Sequence, residues 1–237
     1  MPKITLENIT KSYRGEKRRF VPAVSDINLT IEQGEFVFLT GSSGAGKSTL
    51  LGIIAGSIRP DRGRVLLDSC DVTHGPRWLR PHITRKFGQV WQEPSLIRRQ
   101  TIGENLSLAV MIGGVRRGSG RAVASRVRKV LGLVGMRGCE DKYPVEMSSG
   151  ECRRIELARA LINSPPILLL DELTANLDDD SIWDMFQLLD ELNRRGTTVI
   201  MATHASQYVN IMRKRVVTIV DGRIMGDVPK GRYGEIV

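Results

Sequence analysis

Nine residues, Gly41-Ser42-Ser43-Gly44-Ala45-Gly46-Lys47-Ser48-Thr49, restrict the fold of this chain more than any other stretch. They follow the apolar run Phe36-Val37-Phe38-Leu39 and precede Leu50-Leu51-Gly52-Ile53-Ile54, an order that predicts strand, glycine loop and helix. Glycines let the backbone turn tightly enough for successive N–H groups to face inward. They do so at a helix N-terminus, whose dipole already favours an anion. Lys47 adds a charge suited to phosphate oxygens, and Ser48 adds a hydroxyl suited to Mg²⁺. A bare flexible turn is the competing reading, but the flanking strand and helix are the context that a phosphate loop requires.

A chain of 237 residues with 41% hydrophobic content can bury a sizeable core in one domain, with or without an insertion. No apolar run approaches the roughly 18 residues needed to cross a bilayer. Met1-Pro2-Lys3 opens no signal peptide, so the chain is expected to be soluble and cytosolic. Cys70, Cys139 and Cys152 are widely spaced and odd in number, which fits reduced thiols better than disulfides or a zinc site. The formal charge is +9. Lys17-Arg18-Arg19, Arg98-Arg99, Arg116-Arg117, Arg126 to Lys129 and Arg213-Lys214-Arg215 carry much of it. A solvated surface, an anionic membrane surface and nucleic acid all remain open as explanations. The clusters lack the interleaved aromatics on which bases stack.

Taken in order, residues 3–10 alternate as a half-buried strand, and Ile27 to Ile31 form another, closed by a turn at Gln33-Gly34. Tyr13 and a basic loop lie between them, and an aromatic there is able to stack on a purine ring. A turn at Arg59 to Gly63 leads into a strand over 64–68, followed by a polar, irregular stretch over 69–85. Phe87 to Trp91 read as a strand ending at Gln92-Glu93-Pro94. Helical spacing over 101–109 and 121–133 makes the middle third a helical insertion. Ile167-Leu168-Leu169-Leu170 has no alternation, as expected of a strand buried on both faces of a parallel sheet. An amphipathic helix over 181–195 ends at Gly196, a strand over 197–203 ends at His204, and a hairpin turns at Asp221-Gly222. Alternating strands and helices around a phosphate loop mean an α/β fold with its ligand at the C-terminal strand ends.

Polar groups gather at those ends. Asp171 is placed like the carboxylate that helps hold Mg²⁺ beside a bound triphosphate. Glu172 next to it is a candidate general base, and His204 is a candidate donor to the terminal phosphate. A lone histidine at a strand end is more often simply a satisfied polar residue. Three such groups at one edge are harder to explain that way.

With these residues in place, the chain resembles the ATP-binding subunits of ATP-binding-cassette (ABC) transporters over nearly its whole length. The resemblance implies a P-loop NTPase fold with a mixed, mostly parallel core sheet, an antiparallel β subdomain and a helical insertion. It implies a single domain, with residues 1–93 and 164–237 as catalytic core and about 94–163 as the helical subdomain. Met147-Ser148-Ser149-Gly150-Glu151 occupies the place of the family's signature, so Ser148, Ser149, Gly150 and Glu151 would meet ATP held by a second copy. Tyr13 would be the adenine platform and Gln92 a Mg²⁺- and water-contacting glutamine that senses a membrane partner. Asp178, in the loop Ala175-Asn176-Leu177-Asp178, would contact the other copy. Ser48, Gln92 and Asp171 would hold Mg²⁺, with Glu172 as base and His204 as switch histidine.

Gly34 to Leu39, Asn193 to His204, Met212 to Val217 and Gly231-Arg232-Tyr233 are most similar to the FtsE group of cell-division ATP-binding subunits. That implies an ATP-dependent homodimer at the cytoplasmic face of the cell membrane. Its partner would be an integral, FtsX-like membrane protein through which ATP cycling signals to cell-wall hydrolases. ATPases of lipoprotein-release and macrolide-export systems share much of the pattern, and a soluble ABC ATPase acting on nucleic acid is a further alternative. The sequence departs from the family at Ser149, where a glycine is usual, at Cys152-Arg153-Arg154, where glutamines are common, and at Leu173, which replaces a proline. A Cβ at Ser149 would be costly, and would slow dimer closure, if that position needs positive φ or close backbone approach, and Leu173 would loosen its turn. A slow ATPase, or a poorly hydrolysing scaffold, is the corresponding expectation.

Overall fold

The computed structural model describes residues 2–15, 20–113, 120–174 and 177–236. The first half of the chain forms β1 (Ile4–Arg14), β2 (Phe20–Ile31), β3 (Phe36–Thr40), α1 (Lys47–Ile54), β4 (Arg62–Leu67), β5 (Cys70–Asp71), α2 (Arg80–Thr84) and β6 (Phe87–Val90). Then come α3 (Ile102–Ile112), α4 (Gly120–Leu133), α5 (Ser149–Leu161), β7 (Ile167–Asp171), α6 (Asp179–Arg194), β8 (Thr198–Ala202), α7 (Ser206–Met212), β9 (Arg215–Val220) and β10 (Arg223–Val228).

The strands form two sheets. One is antiparallel, in the order β2-β1-β4-β5. The other runs β10-β9-β3-β8-β7-β6, parallel throughout except for the edge hairpin of β9 and β10. Both faces of the parallel sheet are covered. Val37 and Leu39 of β3, Ile167 and Leu169 of β7, and Ile200 of β8 pack against α1 and the antiparallel sheet. Phe36, Phe38, Leu168, Leu170, Val199 and Met201 pack into a second cluster with α3, α4, α5 and α6. Burial on both faces removes the polar alternation of a half-exposed strand, which is why these segments read as continuous apolar runs.

The hairpin turn takes left-handed φ at both residues, 47° at Asp221 and 76° at Gly222, as a two-residue turn matching strand twist requires. The Gly222 N–H donates to Ala45 O (3.1 Å) and its carbonyl accepts from Ser25 N (2.8 Å), tying hairpin, glycine loop and β2 together.

Several local expectations need correction. The stretch 69–85 is not irregular throughout: it holds β5, a 3₁₀ turn at Arg77–Leu79 and α2. Pro81 sits in the first turn of α2, where its missing N–H has no partner to lose. Tyr13 lies within β1, paired with Val21, rather than in a loop. The helix α7 follows His204 where none was expected; with only Tyr208 and Val209 buried, it lacks a legible periodic stripe. The basic clusters at 17–19 and 116–117 lie outside the described residues, as do Ala175 and Asn176. Cys70, Cys139 and Cys152 are free thiols. No helix among the described residues is long and apolar enough to cross a membrane.

Candidate functional site

The parallel strands β3, β8 and β7 lie side by side in register, with Leu39 opposite Ala202 and Ala202 opposite Asp171. Their C-terminal ends therefore deliver Thr40 with the glycine loop, Thr203-His204, and Asp171-Glu172 to one edge. Gly41 has φ 141°, and a Cβ there would stand 2.2 Å from Ile219 O; at Gly46 (φ 107°) it would stand 2.3 Å from Ala23 O. Glycine is obligatory at both positions, for conformation and for space. The loop passes over Ser42, Ser43, Gly44 and buried Ala45 into α1, which begins at Lys47-Ser48-Thr49.

Lys47 is 6% exposed. Its Nζ donates to Gly41 O (2.9 Å) and Ser42 O (3.0 Å), and stands 3.3 Å from His204 Nε2. Burial pushes the ammonium pKa down, partly offset by the carboxylates of Glu172 and Asp171. Asp171 is 3% exposed; burial raises its carboxyl pKa, while a hydrogen bond from the Ser48 side chain and the charge of Lys47 oppose that rise. Its Oδ1 is buried with no hydrogen-bond partner, an uncommon state for a carboxylate oxygen.

Glu172 takes left-handed φ (51°), with its N–H donating to Ala202 O at 3.0 Å. Non-glycine residues rarely adopt that region, and such residues cluster at functional sites. Burial raises the Glu172 carboxyl pKa, against the lowering pull of His204 and Lys47. Glu172 Oε1 lies 3.4 Å from His204 Nε2. Lys47, Asp171, Glu172 and His204 thus form one cluster beneath the glycine loop. Leu173, expected to loosen this turn, is fully buried in the core.

The signature residues stand apart from that cluster. Ser148 is the N-cap of α5: its Oγ accepts from Glu151 N (3.2 Å), while the Glu151 carboxylate accepts from Ser148 N (2.8 Å). This capping box holds the Glu151 pKa down. Ser149 opens the helix and is not among the positive-φ residues, so its Cβ carries no conformational cost. A Cβ on Gly150 would press on the Leu177 side chain at 3.2 Å. Asp178 caps α6 by accepting from Ser181 N (3.0 Å). Tyr13 is 43% exposed, with Lys11 Nζ 5.8 Å from its ring centroid.

Gln92 is exposed, and its backbone is held from α5. Arg153 donates to Trp91 O (2.8 Å) and Gln92 O and pairs with Glu156 (2.7 Å); Glu156 in turn accepts from Ser95 N (2.6 Å). The sequence reading missed this tie, and it missed Tyr233, whose hydroxyl lies 3.0 Å from His204 Nδ1. An Arg–Glu pair at i, i+3 amid Ile155, Leu157 and Ala158 was the available signal for the first. For Tyr233, the signal was an aromatic in a polar tail.

A family model described as ABC transporter matches residues 24–175. The cell division ATP-binding protein FtsE of Mycobacterium tuberculosis is 39% identical over 231 residues, covering 98% of each chain. FtsE of Bacillus subtilis is 37% identical with the same coverage, and FtsE of Escherichia coli K12 is 36% identical over 225 residues, 95% of this chain and 98% of that protein. A dimeric structure of the ATP-binding cassette MJ0796, in a post-hydrolysis state bound to ADP and Pi, superposes with a TM-score of 0.90 at 31% identity, covering 97% of this chain and all of that one. The match runs over nearly the full length of each relative, and the chain belongs to the ABC transporter family, among its FtsE-like cassettes.

Proposed function

We propose that this chain is the ATP-hydrolysing subunit of an FtsE-type membrane complex, working as a homodimer at the cytoplasmic face of the cell membrane. The carrying observation is the convergence of Lys47, Asp171, Glu172 and His204 under a glycine loop whose shape admits only glycine at 41 and 46. The N–H groups from Gly41 to Thr49 and the Lys47 ammonium bind the phosphates, while Tyr13 stacks on the adenine. The orphaned Oδ1 of Asp171 beside the Ser48 hydroxyl suits a hard cation, and Gln92 would complete the protein ligands. Asp171 would be the single carboxylate ligand, which suffices for a cation that would keep water and phosphate oxygens as its other ligands. When bound, it neutralises charge developing on the phosphate oxygens. Glu172, its carboxyl pKa raised by burial, takes a proton from the attacking water, and His204 donates to the terminal phosphate.

The side chains of Ser148 and Glu151 spend their hydrogen bonds on each other's backbone and none on the glycine loop. That leaves Ser148, Ser149, Gly150 and Glu151 free to close over a second copy's nucleotide, with Asp178 at the contact. In this reading residues 1–93 and 164–237 are the catalytic core, and about 94–163 the helical subdomain. An FtsX-like integral membrane partner docks near Gln92, and the basic surface faces anionic lipid. Glu172→Gln is the test: it should cut turnover roughly 10²- to 10⁴-fold while retaining ATP binding, and trap an ATP-dependent dimer detectable by light scattering. Hydrolysis at the wild-type rate would place the base elsewhere.

A further inference from the structure

The C-terminal segment reaches into the cluster. Gly231 N donates to Lys214 O (3.1 Å), Tyr233 N to Asn210 Oδ1 (2.9 Å), and Thr218 Oγ1 to Glu235 O (2.7 Å). These bonds seat the Tyr233 hydroxyl 3.0 Å from His204 Nδ1 and 3.5 Å from Gly41 O.

Donor and acceptor counting assigns the protons. A lysine ammonium has hydrogens and no lone pair, so the 3.3 Å approach of Lys47 Nζ makes His204 Nε2 an acceptor without a proton. The alternative, a protonated Nε2 bridging 3.4 Å to Glu172 Oε1, would set two donors against each other at the same atom. With Nε2 accepting from Lys47, Nδ1 would carry the hydrogen and donate to Tyr233 Oη, whose own O–H is directed to Gly41 O. Lys47 also donates to Gly41 O (2.9 Å), which closes a ring of four groups: Lys47, His204, Tyr233 and the Gly41 carbonyl.

We propose that Tyr233 is a positioning residue for His204, holding the ring in its Nδ1–H tautomer until ATP is bound. The inference rests on the reading of His204 as a donor to the terminal phosphate. In the Nδ1–H tautomer Nε2 has nothing to donate. When phosphate draws Lys47 away, the ring releases its Nδ1 proton to water and takes one from water at Nε2. The Tyr233 hydroxyl then turns from Gly41 O to donate to Nδ1. The His204 side chain is 47% exposed, so water reaches both nitrogens and the ring's net charge is unchanged. The C-terminal segment thereby senses the nucleotide through one hydroxyl rotation.

The test uses ¹⁵N-labelled full-length protein, in which His204 is one of three histidines and is assigned by comparison with His204→Gln. Without nucleotide, Nδ1 should show the shift of a protonated nitrogen and Nε2 that of an unprotonated one. Tyr233→Phe keeps the ring and removes the hydroxyl; it should abolish that preference and lower kcat roughly three- to ten-fold. ATP added to Glu172→Gln should move the proton to Nε2. An Nε2–H ring in the nucleotide-free wild type, a tautomer indifferent to Tyr233→Phe, or no change with ATP would each overturn the proposal. The nucleotide-free spectra need no turnover. A wild type that failed to hydrolyse ATP would sink the functional reading, while those spectra would still decide the role of Tyr233.

Discussion

The tie between α5 and the segment after β6 makes a quantitative prediction. Arg153 and Glu156 pair at 2.7 Å with side-chain exposures of 9% and 2%. Between them they satisfy Trp91 O, Gln92 O and Ser95 N. Glu156→Leu leaves a guanidinium buried without its counter-charge and removes the acceptor of Ser95 N. Breaking a buried pair this way costs about 3–5 kcal/mol, which for a chain of this size lowers Tm by about 6–20 °C. Arg153→Met, stranding Glu156, should cost a similar amount. The double variant replaces both with apolar groups of comparable volume, while water takes over at exposed Ser95, so it should be less destabilised than either single. Urea unfolding of the four proteins gives the coupling directly, as the departure of the double from the sum. Singles costing under about 1 kcal/mol, or a double equal to their sum, would refute the argument.

Two further predictions concern stability. Leu173→Ala empties a fully buried site and should cost about 2–5 kcal/mol in urea unfolding, with turnover reduced because Glu172 is its neighbour; a cost near zero would restore the picture of a loose turn. Asp61 is held below its ordinary pKa of 3.8 chiefly by a hydrogen bond from the Lys11 side chain, then by one from Ser12 N. A depressed carboxyl stabilises the fold above 3.8 and loses that contribution as pH falls through the depressed value. Asp61→Asn should therefore be less stable at neutral pH by at most about 1 kcal/mol, with the gap closing in acid. A gap that persists or widens below the ordinary value contradicts the assignment.

What was legible in the sequence was whatever is encoded between neighbours. The glycine loop, the apolar run of β7 and the Asp221-Gly222 turn each depend on a few adjacent residues, and all were readable. Burial of β3, β7 and β8 on both faces left a trace too, because it erases alternation. Contacts joining distant residues left little. The hydroxyl of Tyr233 reaches His204 across 29 positions, and Arg153 reaches Trp91 across 62. Neither distance carries a periodic signal. For Ser149 the conformational half of the expectation is answered by a helix start, where ordinary φ serves. Leu173 was judged by the absent proline's stiffness alone, and its full burial was not legible from its neighbours.

The cap at the start of α5 has a consequence for chemical selectivity. Ser148 Oγ accepts the Glu151 N–H, and the Glu151 carboxylate is occupied by the Ser148 N–H. The hydroxyl hydrogen of Ser148 remains free to point outward, next to a helix end of positive polarity. A ligand meeting that surface finds hydrogens offered, and the nearest negative charge already engaged. An anion reaching that surface would meet these hydrogens beside the Glu151 charge, so the pull of the helix end would have to outweigh one carboxylate.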